Sequence, residues 1–131
     1  SGNIGSTRYD IAGNSICPKG WRLPKGRASS DTATTREFGE LWRVAGITSS
    51  LTATSFANNG FVNIRKAPLF FARGGTVTGT TFFNGASYGY WWSSSVYSAT
   101  GACYAYFGGS TISSANNYGR YNGRSVRCIV R

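Results

Sequence analysis

Carboxylate and imidazole side chains, the usual general acids and bases, are scarce in this sequence, and all of them lie in its first third. The four carboxylates are Asp10, Asp31, Glu37 and Glu40, and the chain contains no histidine. General acid–base catalysis, hydrolysis by paired carboxylates and most zinc sites depend on these residue types. Calcium sites also draw several of their oxygens from carboxylates. We therefore predict that the protein is not an enzyme and uses no metal or other cofactor.

Three cysteines are the remaining reactive side chains. A disulfide between Cys17 and Cys128 would close a loop over nearly the whole sequence. In the chain-entropy model such a bridge stabilises the fold by about 4 kcal/mol. The sequence is equally compatible with two buried free thiols at these positions. Cys103 has no histidine to activate it, so we interpret it as a small side chain at the surface or the core edge.

Residues 96–123 have the composition of a binding loop. They are mainly Ser, Ala, Gly, Thr, Asn and Tyr, without a carboxylate or a lysine. Tyr offers a large amphipathic contact area, and Ser and Asn offer adaptable hydrogen bonds. With Tyr and Arg as anchors, the predicted ligand-binding residues are Tyr97, Ser98, Thr100, Cys103, Tyr104, Tyr106, Asn116, Asn117, Tyr118, Arg120, Tyr121 and Arg124. Because strand residues alternate between faces, we expect about half of them to point inward.

The net charge of +10 raises the question of an anionic partner. The basic residues occur singly or in pairs, with no run and no helical stripe. Exposed Tyr and Arg can bind single-stranded nucleic acid by stacking and phosphate contact, but no nucleic-acid motif accompanies them. Scattered charge favours solubility or an anionic surface partner, and nucleic-acid binding is kept as a rival hypothesis.

One helix is predicted, over residues 35–45. Thr34 and Glu37 have the spacing of a capping box, and Glu40 and Arg43 stand one turn apart, where they can pair weakly. Apolar residues recur at helical spacing: Phe38, Leu41, Trp42 and Ala45. A cap and a solvated helix face explain Glu37 and Glu40 better than an active site does.

Strands are predicted on both sides of a hairpin turn. Residues 61–73 and 76–83 are rich in β-branched and aromatic side chains. Asn84-Gly85 is the strongest hairpin signal in the chain, which makes residues 88–95 the returning partner. Further short strands are predicted at 103–107, 111–113 and 124–130.

Two stretches are predicted to frame residues 96–123. Trp91 and Trp92 are large apolar anchors in a run with strand composition. Near the end of the chain, Val126 and Cys128 fall on one side of a period-2 pattern that is typical of a strand with one buried face. We assign these four residues to the core.

The length of 131 residues favours a single domain with a real core. A hydrophobic fraction of 40% is typical of a folded protein, and the apolar runs are too short for a transmembrane helix. We predict an irregular lead-in at 1–15 and one domain at 16–131. The elements predicted from the residues are one helix, several short strands and many turns.

Four sequence blocks follow one another between Ile16 and Ile129. They are I-C-P-K-G-W-R-L-P at 16–24, E-F-G-E-L-W at 37–42, G-Y-W-W-S-S-S at 89–95 and G-R-S-V-R-C-I at 123–129. In this order they resemble the Fibrobacter major paralogous domain family. The same signatures recur in the variable proteins of diversity-generating retroelements, many of which share the C-type lectin fold. The resemblance implies a C-type lectin-like α+β fold whose ends meet and whose C-terminal strands and loops display a ligand-binding face.

The resemblance also implies that a hypervariable region, residues 93–124, is diversified by adenine-directed mutagenesis. An AAY asparagine codon randomised at its adenines cannot encode Lys, Glu, Gln, Met or Trp, and none of these occurs from residue 93 onward. We predict a module that binds a protein or cell-surface ligand and is secreted or displayed on a cell. The rivals are a non-varying surface or adhesin-type structural domain of the same fold and a basic nucleic-acid-binding domain.

Overall fold

The secondary-structure elements are short, and the strands among the described residues pair in three antiparallel sheets. A computed structural model describes residues 16–26, 37–44, 64–108 and 111–130. In chain order the elements are β1 (Trp21–Arg22), α1 (Glu37–Arg43), β2 (Thr76–Thr78), β3 (Thr81–Phe83), β4 (Tyr88–Val96), β5 (Gly101–Gly108), β6 (Thr111–Gly119) and β7 (Ile129–Val130). Small antiparallel sheets with a short helix confirm the predicted α+β class. The predicted lead-in at 1–15 lies outside the described residues.

The largest sheet is a meander of β4, β5 and β6, in that order. Trp91 of β4 stands opposite Ala105 of β5, and Tyr104 of β5 stands opposite Asn116 of β6. The aromatic side chains of β4 and β5 suit a pleated surface, because they pack against cross-strand neighbours. Register shifts interrupt both pairings, so the two strand pairs are irregular near one end of β4 and in the middle of β6.

The main core lies between one face of this sheet and α1. Its buried side chains are Phe38, Trp42, Ile64, Leu69, Phe71, Trp91, Ala105, Phe107 and Ile112. Trp42 meets Phe107 edge-on, with 6.2 Å between ring centroids. Phe71 meets Trp91 edge-on at 4.9 Å. Such contacts add about 0.5–1.5 kcal/mol each beyond the burial of area, so α1 and the segment that carries Phe71 both stabilise the packing on this face.

The predicted helix is confirmed over Glu37–Arg43, where Phe38 and Trp42 are buried and Leu41 is partly buried. Thr34 of the predicted capping box and Ala45 of the predicted last turn lie outside the described residues.

The first and last described segments meet in a separate two-stranded sheet. Trp21 of β1 pairs with Val130 of β7, and a disulfide joins Cys17 to Cys128 with 5.7 Å between their Cα atoms. The structure therefore has the bridge, one of the two alternatives that the sequence left open. Of the two apolar side chains near β1, Leu23 is buried and Trp21 stays exposed.

The predicted hairpin at Asn84-Gly85 is wrong. β2 turns back into β3 at Gly79-Thr80 instead, where Gly79 has a φ of 61°, a left-handed conformation that glycine adopts without strain. Asn84 begins a different turn, in which its carbonyl accepts hydrogen bonds from the N–H groups of Ser87 and Tyr88. This turn leads into β4, whose partner is β5 and not β3.

The predicted strand at 61–73 is also wrong over its described part, residues 64–73. The carbonyl of Lys66 accepts hydrogen bonds from the N–H groups of Leu69 and Phe70, as in a turn, and that of Ile64 accepts one from Phe71. Ile64, Leu69 and Phe71 are buried because they pack onto the sheet without joining it, whereas Phe70 points to solvent.

The predicted closing strand is shorter than expected, because only Ile129–Val130 is strand. Upstream, the backbone of Gly123 bonds to Val77 in β2, and that of Ser125 bonds to β4. A segment that crosses three sheets in this way cannot keep one face buried. Val126 and Cys128, which were predicted to be core residues, are accordingly only half-buried, whereas the burial of Trp91 and Trp92 is confirmed.

Candidate ligand-binding face

The sheet of β4, β5 and β6 has a second face, which points away from α1 and carries aromatic side chains. This aromatic face consists of Tyr88, Tyr90, Trp92, Tyr104, Tyr106 and Tyr118. It follows from strand alternation, since Trp91, Ala105 and Phe107 take the intervening positions and enter the main core. Neighbouring rings are in contact: the ring centroids of Trp92 and Tyr104 are 6.2 Å apart, and those of Tyr90 and Tyr106 are 6.0 Å apart.

Arg124 lies over the centre of the aromatic face. Its guanidinium carbon is 3.5 Å from the ring centroid of Tyr104, 4.9 Å from Trp92 and 5.1 Å from Tyr90. The same atom is 5.6 Å from the ring centroid of Tyr118 on β6. A cation within about 6 Å of a ring centroid is attracted by the ring's quadrupole. Arg124 is therefore held by rings from three strands.

The backbone next to Arg124 fixes its place. The N–H of Ser125 donates to the carbonyl of Tyr90 over 3.0 Å, and the N–H of Trp92 donates to the carbonyl of Ser125 over 3.0 Å. The two bonds attach the segment after Arg124 to β4 like a short extra strand. The arginine is consequently positioned by the sheet and not by a free loop.

Arg124 is partly buried without a carboxylate partner among the described residues. Its Nε and Nη1 atoms are shielded from solvent and have no hydrogen-bond partner there. Burial lowers the pKa of the guanidinium below its usual value, while a hydrogen bond with the Tyr104 side chain acts in the opposite direction. Arginine stays charged under all ordinary conditions, so the face contains a desolvated cation.

A rim of predicted contact residues adjoins the aromatic face where β4 turns into β5 and β6 ends. The N–H of Arg120 donates to the carbonyl of Thr100 over 3.0 Å, and its Nη2 donates to the carbonyl of Ser98 over 2.7 Å. Tyr118 and Tyr121 have ring centroids 6.5 Å apart. These contacts connect the loop 97–100 with the end of β6.

The structure brings most of the predicted contact residues to this part of the sheet, where some are exposed, some are half-buried and two are buried. Those exposed to solvent are Tyr97, Ser98, Thr100, Tyr118 and Tyr121. Those half-buried are Tyr106, Asn116, Asn117, Arg120 and Arg124. Among the tyrosines that the structure describes, Tyr121 is the most exposed, at 73%.

Cys103 and Tyr104 are the two predicted contact residues that the structure buries. Cys103 is 1% exposed and shares the inward alternation of Ala105 and Phe107, so it is a core residue and cannot meet a ligand on the aromatic face. Asn117 stands opposite Cys103 and is thus also turned away from the aromatic face. Tyr104 belongs to the face but is 7% exposed, because Arg124 covers its ring.

Sequence reasoning missed Tyr88 and Tyr90, and although it correctly assigned Trp91 and Trp92 to buried positions it did not separate the two faces on which they lie. The signal that separates them is the period of two in Y-G-Y-W-W, which matches the spacing of Ala102, Tyr104 and Tyr106 on β5. The two adjacent tryptophans lie on opposite faces for this reason.

In the part of the chain that the structure describes, no three His, Cys, Asp or Glu side chains gather as possible metal ligands. No helix there is long and apolar enough to span a membrane. Comparison of the chain with models of protein families, with curated proteins and with solved structures finds no match.

Proposed function

We propose that the protein is a binding module that presents the aromatic face and its rim to a protein or cell-surface ligand. The observation that carries this proposal is the exposed ring of Tyr118 beside the partly buried Arg124, with exposed Tyr121 next to Tyr118 and exposed Tyr97 in the adjoining rim. Tyrosine, tryptophan and arginine dominate the energetics of protein interfaces, because they bury a large area at low entropic cost. The role is binding without catalysis.

The frame around this face suits a surface whose side chains vary. The face and the main core use alternate residues of the same strands, so its side chains can change without altering the contacts with α1. The pairing of β1 with β7 and the Cys17–Cys128 disulfide hold the segment that carries Arg124. We propose on this basis a variable protein of a diversity-generating retroelement with a C-type lectin-like fold. The disulfide supports a secreted or cell-surface location, where such bonds persist.

The coding locus tests this proposal. Diversification predicts a reverse-transcriptase gene nearby and a near-copy of the DNA for residues 93–124 that differs from it at adenines. Sequencing many cells should find substitutions at exposed positions such as Tyr97, Tyr118 and Tyr121. Codons for the buried residues Phe107 and Ile112 should stay constant.

A locus with neither feature would favour the rival, a surface or adhesin-type domain of constant sequence. Substitutions concentrated in the codons of the main core would contradict the proposed face directly.

A further inference from the structure

We propose that Arg124 selects the ligand, by receiving a carboxylate from an Asp or Glu side chain of a partner protein. This inference rests on the proposed function and adds the chemistry of the partner. Its physical basis is a guanidinium that the aromatic face has partly stripped of water and that no described carboxylate neutralises.

The absence of an internal counter-ion is the first step of the argument. Glu37 and Glu40 are the only carboxylate side chains among the described residues, and they pair with Arg22 and Arg43. A partly desolvated cation without an anionic partner is costly, and an incoming anion relieves that cost at the moment of binding. Arg124 keeps part of its surface exposed, with the exposed ring of Tyr118 at its border. Because Nε and Nη1 are shielded, a carboxylate reaches them when neighbouring rings move aside.

The shape of the cation is the second step. A guanidinium presents a planar fork of N–H donors that matches the two oxygens of a carboxylate. Stacking on Tyr104 restrains the plane of this fork, and the backbone bonds of Ser125 restrain its position. A donor group that is held in place before binding loses little entropy when the ligand arrives.

The number of charges on the face favours a single carboxylate over a polyanion. Arg120, the cation that precedes Arg124 in the sequence, bonds to the carbonyls of Ser98 and Gly101. Arg127 lies 5.1 Å from the ring of Phe71, a residue of the main core and not of the aromatic face. A nucleic-acid backbone needs a row of cations along its path, and the described part of the face has one guanidinium at its centre.

The surroundings of Arg124 favour a protein as the source of the carboxylate. Tyr118 and Tyr121 supply exposed aromatic area beside the cation, which is the arrangement of a charged hot spot ringed by tyrosines. The net charge of +10 also steers acidic protein surfaces toward the molecule.

A displayed library of random peptides, panned on the disulfide-bonded full chain, tests the inference. We expect the selected peptides to be enriched in Asp and Glu relative to the input library. In a synthetic copy of a selected peptide, replacing the acid by its amide should weaken binding by about tenfold or more. This ligand-side change leaves the protein unaltered, so a folding defect cannot produce the result.

Variants of the protein complete a double-mutant cycle. Arg124→Gln should weaken binding of the acidic peptide by a similar factor but leave binding of its amide counterpart almost unchanged. Arg124→Lys keeps the charge without the planar fork and should be intermediate. Arg127→Gln removes one charge away from the aromatic face and serves as the matched control, with binding unchanged. Thermal melts verify that each variant is folded.

Three results would overturn the inference. In the first, Tyr118→Ala and Tyr121→Ala abolish peptide capture but the peptides carry no excess of acids, so the face binds without selection by Arg124. In the second, the protein captures only heparin or single-stranded DNA, with the steep salt dependence of a polyanion complex. In the third, no peptide binds the wild type more tightly than the Tyr118→Ala/Tyr121→Ala variant. This result would contradict the proposed binding function as well.

Discussion

Arg22 and Arg124 are both partly buried arginines, but only Arg22 has a carboxylate partner among the described residues. Its two terminal nitrogens each lie 2.5 Å from an oxygen of Glu37, and the same carboxylate accepts the N–H of Lys25 over 2.6 Å. This arrangement joins β1 to α1. Between β1 and α1 the cation is neutralised within the chain, whereas on the aromatic face no described carboxylate neutralises Arg124.

The Glu37 carboxylate predicts a pH dependence of stability. The hydrogen bond from Arg22 is the main cause that holds the pKa of Glu37 below its ordinary value of 4.5, against the opposing effect of burial. Because the folded-state pKa is the lower one, its contribution is present above about pH 4.5 and is lost as the pH falls through the folded-state pKa. Urea unfolding across this acid range should show a smaller loss of stability for Glu37→Gln than for the wild type.

Glu40→Gln is the matched control for this experiment, since Glu40 lies on the same helix in an exposed pair with Arg43. At neutral pH we expect Glu37→Gln to cost about 1 kcal/mol or less and Glu40→Gln less still. Equal acid sensitivity of Glu37→Gln and the wild type would show that the Arg22 contact does not stabilise the charged carboxylate.

At the scale of the element, alternate side chains of β5 belong to the main core and to the aromatic face. Ala105 and Phe107 enter the main core, whereas Tyr104 and Tyr106 form part of the aromatic face. β4 divides in the same way between Trp91 and Trp92. One strand can therefore maintain the fold with one half of its side chains and offer the other half for contact.

Neighbouring substitutions on β5 should separate these tasks. Phe107→Ala removes a fully buried ring from the main core and should cost about 3–5 kcal/mol of unfolding free energy. Tyr106→Ala truncates a half-buried ring on the other face and should cost about 1 kcal/mol. Urea unfolding of the two variants against the wild type measures both costs. Similar losses would mean that the aromatic face is as much a part of the core as the side that faces α1.

At the scale of the whole molecule, the segment after β6 connects parts that are far apart in sequence. Gly123 bonds to β2 through Val77, Ser125 bonds to β4, and Ile129–Val130 pairs with β1. The disulfide between Cys17 and Cys128 reinforces the last of these connections across a sequence separation of 111 residues. Arg124 lies within this connecting segment, so the face depends on the closure of the fold.

Removal of the disulfide should lower the stability of the molecule substantially. In the chain-entropy model, opening so long a loop costs about 4 kcal/mol, which the Cys17→Ser/Cys128→Ser variant should show as a lower urea midpoint. A thiol reductant should shift the wild type toward the midpoint of this variant and leave the variant itself unchanged. Cys103→Ala, which retains the bridge, controls for the loss of a buried thiol. A reductant-insensitive wild type would contradict the stabilising role of the bridge.

Several features could be predicted from sequence because they depend on local patterns. The helix follows from the spacing of Phe38 and Trp42, and the meander strands follow from aromatic composition near Trp91 and Tyr104. The turn type at Asn84-Gly85 could not be predicted from local sequence, because an Asn in the left-handed conformation occurs in several kinds of turn. Only the pairing of β4 with β5 shows that this turn does not join the two strands of a hairpin. Residues 64–73 look like a strand by composition for a similar reason: packing onto a sheet demands the same apolar residues as pairing within it.

The amino-acid sequence by itself determined the helix, the presence of short strands and the contact-type composition of the C-terminal half, since these follow from periodicity and residue type. Only the tertiary structure decided which face of the sheet each aromatic residue joins, that Cys17 and Cys128 are bonded, and that Arg124 lies over Tyr104. The physical reason is that these features are contacts between segments distant in the chain. Such contacts arise when separate strands are brought into register, and no local pattern specifies that register.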